Sequence, residues 1–268
     1  MQQTIGKYAS RPVVAIDSGA SVHEALQLMK DNRISCIIVT SYDEPVGILT
    51  ERDIVFAANW LLGQPELLVK EVMNKPVMTA SEDITIAQAY QTFTQHNIRH
   101  LVVLDAKLDM VGIFTQTDLV RSLQDKAFDG VEGIASLMTP QILHVDSDVP
   151  ARYALSLMAR RSVSGIVVMK DDVPVGMFTE RDVVNQIASG VDLTNVPVGE
   201  VMSPSIISTS ISTPPQETIG LMQKKAIRRV LVVDDFGKMA GILTQTDIGR
   251  VLENRNSGLA AELLSHAN

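Results

Sequence analysis

The chain has 268 residues, of which 46% are hydrophobic and 20% are charged, so it can bury a core and is not of the disordered class. Its net charge of −8 argues against non-specific nucleic-acid binding, and its single cysteine, Cys36, excludes an internal disulfide and cysteine-rich zinc sites. No apolar run approaches the roughly 18–20 residues of a membrane span, and the N-terminus lacks the apolar core of a signal peptide. We therefore expect a cytoplasmic protein with no membrane partner.

The first predicted elements are a strand, a helix, two strands and a second helix. Val13–Ile16 is a short apolar strand, and the capping box Ser21–Glu24 precedes apolar residues at helical spacing. Cys36–Thr40 and Val46–Leu49 predict two strands joined by a polar turn, and Thr50 opens the second helix. Cys36, in an apolar strand, is interpreted as a core residue and not as a nucleophile.

The same order of elements returns three more times along the chain. A capping box is predicted at Thr85–Gln88 in the second copy and another at Thr213–Gln216 in the fourth. Proline is predicted at the first helical position in two copies, as Pro150 in the third and Pro214 in the fourth. The predicted fold class is α/β (α+β), with four β-α-β-β-α repeats paired into two pseudo-two-fold modules. The predicted repeats are 6–61, 69–126, 134–190 and 198–254, followed by a tail, 255–268, that is interpreted as a connector helix or a frayed end.

A seven-residue pattern marks the end of the third strand in every copy. Its glycine recurs at intervals of 65, 64 and 65 residues, and its endings alternate as TERD, TQTD, TERD and TQTD. The simplest history is that one repeat was duplicated into a pair and the pair was then duplicated. This predicts two modules, 6–126 and 134–254, with the joint at 126–133. A repeat this small leaves one face of its sheet uncovered, so the repeats must pair, and pairing creates clefts where ligands bind.

The Gly-x-x-Thr-x-x-Asp ending, the element order and the paired occurrence resemble the CBS domain, over about residues 6 to 254. Val72–Asn74, Leu137–Pro140 and Val201–Pro204 are similar to the segment that opens many CBS domains, whereas Tyr8–Pro12 departs from it by lacking a methionine. The resemblance implies a regulatory protein that binds an adenosyl ligand (AMP, ADP, ATP or S-adenosylmethionine) in the cleft between paired domains. It implies no catalytic cofactor.

The resemblance also implies roles for particular residues. The motif aspartates and threonines would hold the ribose, which suits a carboxylate that accepts both hydroxyls of a diol: Asp53, Asp118, Asp182, Asp247, Thr50, Thr115, Thr179 and Thr244. Phosphate would lie near basic or hydroxyl side chains: Arg99, His100, Arg228, Arg229, Thr117, Thr246, Arg52 and Arg181. Adenine would contact the first strands at Val77, Thr79, Ile206 and Ser208.

A structural alternative stays open for the motif itself. Thr-x-x-Asp at a helix start is also a capping arrangement, so the aspartates need not bind a ligand. The arginines Arg52 and Arg181 can equally be solvated surface charges. No P-loop, nucleophile-elbow or dinucleotide motif is present, and the histidines have no metal-ligand spacing, so we expect neither catalytic nor metal-binding residues.

Several functions are compatible with this pattern. The leading hypothesis is a nucleotide sensor that passes ligand occupancy to an effector domain or protein partner, with CBS pairs assembled as a homodimer or as a disc within one chain. The alternatives are a ligand-free dimerisation or scaffold array, and the N-terminal sensory part of a larger bacterial signalling protein. An enzyme is the least favoured class.

Overall fold

The computed structural model describes residues 3–42, 44–61, 66–123, 128, 131 and 133–250, without the side chains of residues 59 and 60. The predicted joint at 126–133 is described only at three positions, and the predicted tail 255–268 lies outside the described residues. Within the described part, each repeat has three strands and two main helices, and this confirms the predicted α/β class.

The elements follow the predicted order in each repeat. The first two repeats contain β1 (Ala15–Asp17), α1 (Val22–Asp31), β2 (Cys36–Ser41), β3 (Glu44–Thr50), α2 (Glu51–Leu61), α3 (Val69–Val72), β4 (Thr79–Ser81), α4 (Ile86–His96), β5 (His100–Leu104), β6 (Met110–Thr115) and α5 (Gln116–Ser122). The last two contain β7 (His144–Asp146), α6 (Ala151–Arg161), β8 (Gly165–Lys170), β9 (Val173–Thr179), α7 (Glu180–Ala188), α8 (Val198–Val201), β10 (Ser208–Ser210), α9 (Pro215–Lys224), β11 (Arg229–Val233), β12 (Met239–Thr244) and α10 (Gln245–Gly249). Single 3-10 turns lie at Ile5–Lys7 and Ile134–Ser136.

Every repeat builds the same three-stranded sheet. The first strand pairs parallel with the second, and the second pairs antiparallel with the third, as in β1-β2-β3. The central strand is buried on both faces, because consecutive residues such as Ile37, Ile38 and Val39 are all fully buried. The second face of the sheet is therefore covered, as expected for a repeat that cannot stand alone.

The predicted helix caps hold in two cases and fail in a third. Ser21 caps α1 and Thr85 caps α4, each with a reciprocal bond from its glutamate or glutamine partner. The predicted box at Thr213–Gln216 is wrong, because α9 begins at Pro215 with Pro214 as its N-cap and no side-chain cap. Proline disfavours the helical region for the residue before it, and Pro214 has an extended backbone with ψ of 144°, so the helix starts one residue later, at Pro215. Pro150 is likewise the N-cap of α6 and not its first residue.

The chain forms two compact units that combine alternate repeats. The odd unit, residues 13–77 and 143–206, contains the first and third repeats. The even unit contains the second and fourth repeats, in the described parts of residues 1–12, 78–142 and 207–268. These units group alternate repeats, because helices of alternate repeats merge their apolar faces into one core. The predicted modules 6–126 and 134–254 group consecutive repeats instead, and they stay a prediction.

The two cores show this merging directly. In the odd unit, α2 of the first repeat packs on α6 and α7 of the third, and one cluster contains Leu26, Ile54, Leu155 and Val183. In the even unit, α5 packs on α10, and Phe93 stacks on Phe114 with ring centroids 5.9 Å apart. A second cluster joins these residues to others from the fourth repeat, including Met222, Leu243 and Ile248.

The short stretch before each repeat lies on a different repeat from the one it precedes. These four leading segments are residues 3–12, 67–77, 134–142 and 198–206. The segment before the first repeat forms a backbone bridge to the third strand of the second repeat, and the segment before the second repeat forms one to the third strand of the first. The segments before the third and fourth repeats are exchanged in the same way, each bridging the third strand of the other repeat. The resemblance to opening segments therefore identifies the right residues, but the structure places them on the other member of the tandem pair.

The motif glycine is required by this exchange. A Cβ added at Gly176 would lie 2.7 Å from the carbonyl oxygen of Ser203 and would also clash with the Met202 side chain. At Gly112 the contact is looser, since the leading segment carries Ala9 where the others carry methionine, and the nearest atoms to an added Cβ are 3.0–3.1 Å away. The missing methionine of Tyr8–Pro12 thus has a local consequence at Gly112.

We expect Gly176→Ala to lower the free energy of unfolding by about 1–3 kcal/mol, the usual cost of overpacking, because a backbone carbonyl must move. Gly112→Ala is the matched control and should cost less. Urea unfolding followed by circular dichroism measures both, and an equal or larger loss in Gly112→Ala would contradict this account of the exchange.

Candidate functional site

The motif threonine and aspartate form a closed cap in every repeat. The threonine hydroxyl donates to the aspartate Oδ2 at 2.6–2.7 Å, and the threonine backbone N–H donates to the same oxygen at 2.8–2.9 Å. The aspartate N–H donates back to the threonine hydroxyl oxygen at 3.3–3.4 Å. The capping role left open by the sequence is therefore present in all four copies. It occupies Oδ2 and leaves Oδ1 as the carboxylate oxygen that can take other partners.

In three repeats the Oδ1 atom binds a polar side chain from an exchanged leading segment. Asn74 donates to Asp53, Ser203 donates to Asp182 at 2.7 Å, and Thr139 donates to Asp247 at 3.4 Å. Sequence reasoning missed these three donors. A signal was available, since each directly follows the methionine of its Val-Met or Leu-Met pair.

Asp118 differs from the other three motif aspartates. Ser10 occupies the matching place in its leading segment, exchanging backbone bonds with Ile113, but among the described residues no side chain of that segment donates to Asp118. Its Oδ1 faces the guanidinium of Arg121 at 3.5 Å, and only 3% of the Asp118 side chain is exposed. Asp118 is thus a buried carboxylate whose outer oxygen is held by one exposed arginine.

The even repeats place cations beside the motif that sequence reasoning did not single out. Arg250 donates to Asp247 Oδ1 at 3.0 Å, as Arg121 approaches Asp118. Both arginines lie three residues after the motif aspartate and are about 60% exposed. The first and third repeats have Phe56 and Asn185 at this position.

The predicted basic pairs lie next to the motif in both even repeats. His100 is the direct cross-strand partner of Thr115, and Arg229 is the partner of Thr244. The carbonyls of Arg99 and Arg228 accept the first backbone N–H groups of α5 and α10. Directly paired residues point to the same face of a sheet, so the basic side chain and the motif threonine share a face.

The predicted adenine contacts divide between the units. Thr79 and Ser208 belong to the even unit, where they pair with the central strands at Val102 and Leu231. Val77 and Ile206 belong to the odd unit. Each contact to adenine stays a prediction.

The remaining predicted phosphate residues contact other motif residues. Arg181 bonds Glu51 at 3.1 Å and Arg52 approaches Glu180 at 3.5 Å, both within the odd unit. In the even unit, Thr117 donates to Gln245 at 2.9 Å and Thr246 donates to Gln116 at 3.1 Å. The four partners, Glu51, Glu180, Gln116 and Gln245, were missed because they are the unspecified positions of the motif.

The described residues contain no group of three or more histidine, cysteine, aspartate or glutamate side chains placed to hold a metal ion. None of their helices is both long enough and apolar enough to cross a membrane.

The burial of Asp118 makes a prediction about pH. Burial raises its pKa above the ordinary value of 3.8, against the opposing effects of the Thr115 hydrogen bonds and of Arg121. The folded chain then binds this proton more tightly than the unfolded chain, so its contribution to stability falls as pH rises from about 3.8 through the folded pKa. We expect Asp118→Asn to remove this pH-dependent decrease in the free energy of unfolding, which urea unfolding measured from about pH 3.5 to 6 would show. An unchanged slope of unfolding free energy against pH would contradict the raised pKa.

Comparison with known proteins gives the same four-part division. The family model of the CBS domain matches residues 5–59, 69–125, 134–189 and 198–254. The CBS domain-containing protein YhcV of Bacillus subtilis is 31% identical over 140 residues, which are 52% of this chain and 99% of that protein. A half-length relative is thus matched almost end to end.

Other relatives are matched over different shares of their length. The L-aspartate semialdehyde sulfurtransferase of Methanocaldococcus jannaschii is 31% identical over 139 residues, and the chain spans only 26% of it. The crystal structure of protein MJ1225 from the same organism, described as a candidate archaeal homologue of g-AMPK, has a TM-score of 0.81 at 22% identity, over 92% of this chain and 99% of that one. At this identity MJ1225 supports the fold. With four matched domains over most of its length, the chain belongs to the CBS-domain family.

Proposed function

We propose that this CBS-domain chain is a regulatory module that binds an adenosine nucleotide at its second and fourth repeats and passes occupancy to an effector. The ribose diol would contact Asp118 and Asp247, and the phosphates would contact the basic side chains of the same repeats. The observation that carries the proposal is the even unit's combination of a buried motif carboxylate with an arginine on the following helix and a basic residue, His100 or Arg229, on the neighbouring strand.

The charge around the motif favours the even repeats. Arg121 and Arg250 reach the outer oxygen of the two aspartates from the helix side. His100 and Arg229 flank the motif threonines from the neighbouring strand. Because the chain has a net charge of −8, a phosphate must be held by local basic side chains against an unfavourable mean field.

The odd repeats are less suited to an anion. Their predicted phosphate residues, Arg52 and Arg181, contact glutamates whose side chains are 2–3% exposed. A phosphate at either arginine would compete with a buried carboxylate for the same guanidinium, and weakening a buried ion pair is costly. Asp53 and Asp182 also have their outer oxygens bonded closely by leading-segment side chains, at 2.7 Å from Ser203 to Asp182, whereas the corresponding bond from Thr139 to Asp247 is longer, at 3.4 Å.

The exchanged segments offer a route for the signal. A ribose hydroxyl that donates to Asp247 Oδ1 competes with the 3.4 Å bond from Thr139, which belongs to the leading segment 134–142. That segment continues directly into the third repeat. Ligand and segment therefore share one carboxylate oxygen, and a change in this bond would couple the site to the chain that connects the repeats.

A ligand-free scaffold is the second candidate function, and one observation favours it. The Thr–Asp cap is complete in all four copies, including the two that lack the extra cations. Capping alone would account for the motif. The proposed effector, and assembly as a homodimer or a disc, stay predictions, as does a place as the sensory part of a longer protein.

Isothermal titration with AMP, ADP, ATP and S-adenosylmethionine tests the sensing function. We expect at least one of them to bind with a Kd between about 1 μM and 1 mM. Asp118→Asn should weaken that binding about 10-fold or more, or remove one of two sites, since a charge-assisted hydrogen bond contributes about 1.5–3 kcal/mol.

Asp53→Asn is the matched control, because it disturbs the same cap in the odd unit. It should leave nucleotide affinity within about twofold of the wild-type value, as expected for a residue outside the site. Equal weakening by Asp53→Asn would contradict the assignment to the even repeats. The absence of heat with all four ligands would contradict sensing and favour the scaffold.

A further inference from the structure

The two middle residues of the motif, the Glu-Arg or Gln-Thr of its ending, meet across the two repeats of each unit. In the odd unit, Glu51 of α2 contacts Arg181 of α7, and Glu180 of α7 contacts Arg52 of α2. In the even unit, Gln116 of α5 contacts Thr246 of α10. The reverse pair, Gln245 and Thr117, completes the same arrangement.

These contacts are reciprocal. The first helical residue of one repeat bonds the second helical residue of its partner, and the reverse bond also forms. This is the pattern of a two-fold interface, in which a surface must be complementary to its own copy. A Glu-Arg pair is complementary to itself because each charge meets its opposite, and a Gln-Thr pair is complementary because the Thr hydroxyl donates to the Gln carbonyl.

Mixed pairing would lose these contacts. If a Glu-Arg face met a Gln-Thr face, Glu51 and Glu180 would each be left without the guanidinium that they now contact. Both glutamate side chains are almost fully buried, at 2% and 3% exposure, and removing one partner of a buried ion pair is strongly destabilising. This loss of stability occurs only when a Glu-Arg face meets a Gln-Thr face.

We propose that these two positions are a pairing code that decides which repeats share a core. Glu-Arg selects Glu-Arg and Gln-Thr selects Gln-Thr, so the first repeat pairs with the third and the second with the fourth. This selection explains why the motif endings alternate between TERD and TQTD along the chain. The code is independent of nucleotide binding, and it assigns Glu51, Arg52, Glu180 and Arg181 to recognition of a second copy of their own surface.

A charge exchange in the full chain tests the code while net charge and composition stay constant. The first variant is Glu51→Arg/Arg52→Glu, the second is Glu180→Arg/Arg181→Glu, and the third combines all four changes. Each of the first two places like charges opposite each other and should lower Tm by about 5–10 °C. The combined variant restores opposite charges and should regain most of that loss.

The outcomes are decisive in both directions. Recovery in the combined variant supports the code, as does a folded combined variant when either parent fails to fold. A combined variant that fails to fold, or whose loss equals the sum of its parents' losses, overturns it. No loss in either parent overturns it too. The corresponding exchange of Gln116 with Thr117 is the uncharged control and should change Tm by less.

A graft tests the selectivity itself. Glu51→Gln/Arg52→Thr gives the first repeat the even type of surface opposite an unchanged third repeat, and it should lower Tm. Adding Glu180→Gln/Arg181→Thr makes both surfaces of the Gln-Thr type and should restore Tm. If the one-sided graft is as stable as the two-sided graft, the pairing code is wrong.

Discussion

The constraint that shapes this chain is that a repeat of three strands and two helices cannot bury its helices alone. The structure satisfies it by giving two repeats one core, so that Leu26 and Ile54 of the first repeat share a cluster with Leu155 and Val183 of the third. The same sharing joins the second and fourth repeats. Each core then contains about twice the apolar surface that one repeat could supply, and the helix starts that carry the motif contact each other between the two repeats.

The motif is understandable once each position is assigned a contact. The glycine admits a leading segment from another repeat, the threonine and aspartate cap the helix, and the two middle residues contact the paired repeat. Asp118 and Asp247 add to this an outer oxygen near exposed arginines. In the proposed function, the cap and the ligand would use different oxygens of the same carboxylate, Oδ2 for the cap and Oδ1 for the ligand.

Much of the fold could be predicted from the sequence, because the repeat is long, regular and marked at its end by seven residues. The strands, the helices and the caps at Ser21 and Thr85 follow from local pattern. The box at Thr213 failed because two consecutive prolines shift the helix start. Which repeats share a core, and where the leading segments lie, depend on contacts between residues about 130 positions apart, which local periodicity does not encode.

The site could be predicted only in part for the same reason. The motif residues and the basic pairs were visible as repeated letters, and the structure places His100 directly opposite Thr115. Arg121 and the donors Asn74, Ser203 and Thr139 were not identified, since their roles appear only when the exchanged segments and the helix are in place. The roles of Glu51 and Glu180, at unspecified motif positions, could not be predicted because their arginine partners lie in another repeat.

The central claim is that a ribose diol is held by the motif carboxylates of the even repeats. The most direct measurement compares the affinity of the best-binding nucleotide with that of its 2′,3′-dideoxy analogue by calorimetric titration. The account predicts that the analogue binds about 10-fold or more weakly, because it lacks the hydroxyls that donate to Asp118 and Asp247. Equal affinity of the two compounds would contradict it.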